Sequence, residues 1–239
     1  MSIKIYNNKE QAAANLADEL VQIILSSQKP MVTLAISGGT TPYLLFEHWA
    51  KNYLYKIPWE KLHFFWVDER CVEPESPESN YGNTKKTLFD QVPIPPQNIH
   101  RMMGENEPEL EAVRYAEEVG RFVVLSNELP QFDIVLLGMG DDGHTASIFS
   151  PSLELLNASQ WVETTKNPYS YQQRITLTGN VINNARHLYF LVTGQSKAPV
   201  LKTIFEKLSG FEKYPAAHIY QVNGNLTWVL DAGAASLLS

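Results

Sequence analysis

The chain has 239 residues, 44% of them hydrophobic and 19% charged, with 19 Lys+Arg against 26 Asp+Glu and a formal net charge of −7. That balance, without any dense block of Lys or Arg, excludes a nucleic-acid binder, which needs clustered cations along a phosphate backbone. No apolar run reaches the roughly 18 residues of a membrane helix, so no membrane partner is expected.

Taken in order, short apolar runs alternate with helical spacing. IKIY (3–6) is β-prone, and between Glu10 and Ser26 the residues Ala12, Ala13, Leu16, Leu20 and Ile23 recur at helical intervals. MVTLAI (31–36) reads as a buried strand closed by SGGTTP, after which YLLFEHWAKNY (43–53) reads as a helix. HFFWV (63–67) is a strand that runs into Asp68-Glu69-Arg70. A polar loop, CVEPESPESN (71–80), leads to a helix over 81–89, and VPIPP (92–96) is a rigid connector. Glu107 to Ser126 spaces as a long amphipathic helix. FDIVLLG (132–138), RITLT (174–178), HLYFLV (187–192), AHIY (217–220) and LTWVLD (226–231) read as the later strands, with SKAPVLKTIFEKL (196–208) as the last helix.

This alternation predicts an α/β fold, a mostly parallel sheet covered by helices on both faces, built as one domain over 1–239. The amino terminus, MSIKIYNNKE, lacks the apolar core of a secretory signal, and Cys71 is the only cysteine. A reducing compartment, the cytoplasm, is expected. Ligands of such sheets gather beyond the carboxyl ends of the strands. Four unusual polar segments fall there: SGGTTP, DER, GMGDDGH and TGQSKA.

Each segment has a chemical reading and a plainer one. Gly38, Gly39 and Thr40 suit a tight turn whose amides meet a phosphate at a helix N-terminus, or simply a strand-to-helix turn. Asp68 and Arg70 suit a sugar hydroxyl and a phosphate, or a solvated strand end. Lys197 stands in the first turn of a helix, where the dipole disfavours a cation unless an anion faces it. Cys71 reads as a packed thiol.

Gly138, Gly140 and Gly143 fit G-x-G-x-x-G, but this is a poor dinucleotide site. More than half of the chain precedes it, Asp141 and Asp142 would face the pyrophosphate, and His-Thr follows where an apolar helix should start. Read as an acid–base turn, it aims His144 inward with Asp142 to fix its tautomer. A metal held by Asp141, Asp142 and His144 lacks a fourth protein ligand at recognisable spacing.

VDERCVEPESPESNYGNT, GMGDDGHTASIFSP and VTGQSKAPV together resemble the 6-phosphogluconolactonases, and SGGTTP stands where that family carries its SGG[ST]TP loop. The resemblance runs over essentially the whole chain and departs locally at Phe149-Ser150-Pro151, where the family usually reads LFP. It implies the three-layer Rossmann-like domain of the deaminase, ribose-5-phosphate isomerase and CoA transferase type. It also implies hydrolysis of 6-phospho-D-glucono-1,5-lactone in the oxidative pentose phosphate pathway, without cofactor or catalytic metal, by a monomer or weak oligomer. Under it, His144 is the general base and Asp142 its neighbour, while Arg70 and Lys197 hold the phosphate with the Gly38-Gly39-Thr40 amides. Asp68 and Ser79-Asn80 have no fixed role.

Three other readings stay open. A glucosamine-6-phosphate deaminase shares the glycine-threonine-proline and DGH loops, but typically reads MDEY for VDER and FNEP for IFSP. A silent sugar-phosphate sensor would need the phosphate grip and not the base. A nicotinamide oxidoreductase rests only on the glycine spacing.

Overall fold

The computed structural model describes residues 1–222 and 225–238. In chain order the regular elements begin with β1 (Ser2–Tyr6), α1 (Lys9–Ser26), β2 (Val32–Ile36) and α2 (Thr40–Asn52). Then come β3 (Leu62–Trp66), β4 (Asp68–Arg70), α3 (Asn80–Thr84), β5 (Ile99–His100) and α4 (Pro108–Phe122). The remainder are β6 (Leu125–Ser126), β7 (Leu129–Pro130), β8 (Ile134–Leu137), β9 (Val162–Lys166), β10 (Gln173–Leu177), α5 (Gly179–Asn183), β11 (His187–Val192), α6 (Ala198–Phe205) and β12 (Leu226–Asp231).

Seven strands form one sheet in the order β1-β12-β11-β8-β2-β3-β5, and every neighbouring pair is parallel. All five residues of β2 and all four of β8 are buried. Because successive strand residues point to opposite faces, that pattern requires cover on both faces, as the uninterrupted apolar runs implied. α1 supplies part of it through Ala12, Ala13, Leu16, Ala17, Leu20, Val21 and Ile24, while the Asn8 side chain accepts from the Gln11 amide at 2.9 Å to start the helix.

From β2 the chain builds outward through β3 to β5, then returns to β8 and builds the other way through β11 to β12. The reversal lies between β2 and β8, which opens a crevice beyond their carboxyl ends. SGGTTP and GMGDDGH are the segments that leave those two strands.

A second, antiparallel sheet runs β4-β10-β9. Asp68-Glu69-Arg70 is thus a strand in its own right, and RITLT pairs with it instead of joining the parallel sheet. Three other expectations are corrected. AHIY is not a strand: Pro215–His218 is a 3-10 turn, started by the fixed φ of Pro215 and pinned by the Ala216 amide on the Gly143 carbonyl at 3.0 Å. α4 ends at Phe122 instead of reaching Ser126, because Asn127 and Glu128 take φ values of 53° and 62° and turn a β6-β7 hairpin. The helix expected over 81–89 is α3 followed by a π-helical turn, Lys85–Phe89.

At the far end of β3 from the crevice, His63 Nδ1 lies 2.9 Å from His100 Nε2, and His100 Nδ1 lies 2.7 Å from Glu118. Burial, then the neighbouring His100, pushes the His63 imidazole down to about 4. Burial also lowers His100, against the pull of Glu118. An unfolded imidazole takes its proton near pH 6.5, so the unfolded chain gains protons first as the medium is acidified. Stability is therefore expected to be unaffected by this pair above about pH 6.5 and to decline from there towards pH 4. Urea midpoints across that range should fall less steeply in His63→Phe, and equal slopes would refute the assignment.

Candidate active site

A cleft of about 620 Å³ opens over the crevice, lined by segments from all four polar stretches. Among the described residues it holds Gly38, Gly39, Thr40, Asp68, Arg70, His144 and Lys197 together; Asp142 sits just behind His144.

His144 is presented by a turn closed by two backbone bonds, Gly140 N–H to the His144 carbonyl at 2.9 Å and Gly143 N–H to the Gly140 carbonyl at 3.1 Å. Asp142 Oδ1 lies 2.5 Å from His144 Nδ1 and also accepts the His144 backbone amide at 3.2 Å. Nδ1 is thereby engaged, which leaves Nε2 as the basic nitrogen. Burial works to raise the Asp142 pKa, but the hydrogen bonds and charge of His144 outweigh it and bring the carboxyl down to about 2. The imidazole also leans on Phe149, with ring centroids 4.7 Å apart. A side chain at Gly140 has no room, since its Cβ would fall 2.1 Å from His144 Nδ1 and 2.5 Å from Asp142 Oδ1. Gly140→Ala is expected to cut kcat by about 10²-fold through displacement of that pair, while the thermal midpoint changes little. An unimpaired Gly140→Ala enzyme would show that this geometry is dispensable.

No α-helix begins at Gly143, where the chain runs on without regular structure to a 3-10 turn at Ser150–Leu156. The glycine spacing therefore lacks the helix N-terminus that a dinucleotide's pyrophosphate requires. The acidic pair of the turn also diverges, Asp142 to His144 and Asp141 to Lys197 Nζ, so these side chains do not converge as metal donors.

SGGTTP ends in α2 with Gly39 at the N-cap, at φ 115°, and no side chain caps the helix. The first amides of α2 are left to the cleft. The Thr41 hydroxyl meets that of Thr193 at 2.8 Å, tying this loop to the one after β11, where Gly194 also has positive φ.

Strand alternation separates the DER triplet. Asp68 and Arg70 line the cleft, while buried Glu69 turns the other way. Glu69 accepts the amides of Arg70, Asn80 and Tyr81 at 2.7, 2.7 and 2.8 Å and the Ser79 hydroxyl at 3.1 Å. It thus anchors the end of the 71–80 loop. Burial raises its pKa against those hydrogen bonds. Asp68 accepts the Ser147 hydroxyl at 2.7 Å, and Asn80 donates to the Asp68 carbonyl at 2.9 Å. Cys71 is half-buried, and burial pushes its thiol up to about 11, the state of a packed residue.

Sequence reasoning missed Arg174. It faces Arg70 directly across the β4-β10 pairing and lines the cleft. Burial, then the like charge of Arg70, works against its charged form. Neither arginine has an ion-pair partner among the described residues. Ser37 Oγ, Arg70 Nε, Asn80 Oδ1 and Arg174 Nε are all buried without a hydrogen-bond partner, and all four residues line the cleft. Orphaned polar groups are costly, and their gathering at one place marks where a polar ligand would complete them. Lys9, at the start of α1, is a further cation on the rim that the sequence did not single out.

The family described as glucosamine-6-phosphate isomerases/6-phosphogluconolactonase matches residues 7–228. The chain belongs to that family. Its relatives include the 6-phosphogluconolactonase of Haemophilus influenzae, 44% identical with 95% of this chain and 97% of that protein covered. The 6-phosphogluconolactonase of Aggregatibacter actinomycetemcomitans is 41% identical over the full length of both chains. Among solved structures, that of devB protein superposes with a TM-score of 0.92 at 38% identity, covering 100% of this chain and 99% of the other. The family resemblance and the α/β fold expected from the sequence are both borne out, and no described helix is long and apolar enough to cross a membrane.

Proposed function

We propose that this chain hydrolyses 6-phospho-D-glucono-1,5-lactone to 6-phospho-D-gluconate. The observation that carries the reading is the Asp142–His144 pair standing beside two arginines, buried Arg174 and half-buried Arg70, that lack counter-ions among the described residues. His144 Nε2 takes a proton from a water as its oxygen adds to the lactone C1. The tetrahedral intermediate then expels the ring oxygen, which receives that proton from the imidazolium, so one residue serves as base and then acid. A lactone is an activated ester, so no covalent nucleophile is needed.

Arg70, Arg174 and Lys197, with the amides at the start of α2, grip the phosphate, a group that does not react. Its binding energy fixes the sugar so that C1 meets the water. Asp68, held by Ser147, accepts a sugar hydroxyl. The deaminase reading calls for a glutamate in the site, and the described cleft lining contains none. The test is hydrolysis of freshly generated lactone against its spontaneous rate. A rate no faster than background would sink the proposal, and ammonia release from glucosamine 6-phosphate would support the rival.

A further inference from the structure

The tandem Asp141-Asp142 serves two loops. Asp142 turns to His144, whereas Asp141 reaches the loop after β11, where its Oδ1 accepts from Lys197 Nζ at 2.7 Å and from the Ser196 hydroxyl at 2.8 Å. Both donors belong to the short 3-10 turn Gln195–Lys197. Lys197, then Ser196, holds the Asp141 carboxyl below the usual carboxylate range. The lysine is the sheltered member, with its side chain 18% exposed against 69% for the aspartate. A solvent-facing carboxylate therefore already neutralises a cation inside the cleft, a provision that Arg70 and Arg174 lack.

The consequence for ligands rests on the lactonase reading. Opening the lactone adds a carboxylate to a molecule that already carries a phosphate. The product is thus more negative than the substrate and is favoured by a cationic cleft. We propose that Asp141 is a release residue, an internal anion that competes with the ligand's phosphate for Lys197 and keeps the product from staying bound. The ammonium has three donors. To meet the phosphate, the ammonium must leave Asp141 or divide its donors between two anions, and the ion pair given up is subtracted from binding. Exposed charge pairs couple modestly, so the effect on affinity is about two- to five-fold.

Calorimetric binding of 6-phospho-D-gluconate at low salt reads this directly, without turnover. Asp141→Asn is expected to tighten product binding about three-fold and to lower KM for the lactone in parallel. Both gains should shrink as salt is raised. Lys197→Met is expected to weaken binding, and Asp141→Asn added to Lys197→Met should bring no gain. Weaker or unchanged binding by Asp141→Asn, or a gain that survives without Lys197, overturns the proposal. A wild-type chain with no affinity for 6-phosphogluconate overturns the lactonase reading itself, and the release role with it.

Discussion

His144→Ala is expected to lower kcat by about 10²–10⁴-fold while KM stays within a few-fold of wild type. In the proposed reaction the imidazole meets the reacting water and not the phosphate, so its loss is expected to remove proton transfer without loosening the grip. Asp142→Asn should give a smaller loss, because the ring remains but its tautomer is no longer imposed through Nδ1. The lactone opens unaided at an appreciable rate. Both variants must therefore be measured against the enzyme-free rate, under single-turnover conditions that isolate the chemical step. A His144→Ala enzyme with normal kcat and raised KM would assign the histidine to binding and leave the reaction without its base.

Arg174→Ala should act on the opposite parameter. Hydrogen bonds to charged groups contribute about 1.5–3 kcal/mol each, so losing a two-pronged grip is expected to raise KM roughly 10²–10⁴-fold with kcat little affected. Arg174→Lys should recover only part of this, since an ammonium restores the charge but not the planar fork. The variant enzyme should otherwise be no less stable. Arg174 has no counter-ion to lose, and its removal relieves the like charge of Arg70. A KM unmoved in Arg174→Ala would mean that the phosphate lies elsewhere in the cleft.

The two arginines also show what could and could not be read from the chain. SGGTTP, the DDGH turn and the lysine after β11 were legible because their chemistry is local: each needs a glycine-permitted turn at a strand end, and all of its residues lie within a few positions. Arg174 was not legible. Within RITLT it reads as an ordinary strand residue, and only the antiparallel register of β10 with β4 sets it opposite Arg70. Glu69 was hidden for a related reason, because alternation along three residues turns it away from the cleft that Asp68 and Arg70 share. The central parallel strands were read well, since burial on both faces leaves an uninterrupted apolar run. AHIY misled because four β-prone residues say nothing of the contact between Ala216 and Gly143 that holds them in a helical turn. α4 was overrun because its apolar spacing continues through Val123, although the backbone has already left the helix.

The pairing of Arg70 with Arg174 joins segments far apart in the chain, so the proposed phosphate grip forms only once the long-range topology is complete. An unfolded chain presents nothing equivalent, and whatever occupies the cleft favours the native state alone. At a ligand concentration of about 100 times Kd this amounts to roughly 2.7 kcal/mol, a sizeable part of a typical domain's margin. In a cell, the survival of this protein against proteases would then follow the size of the pool of the proposed sugar-phosphate ligand.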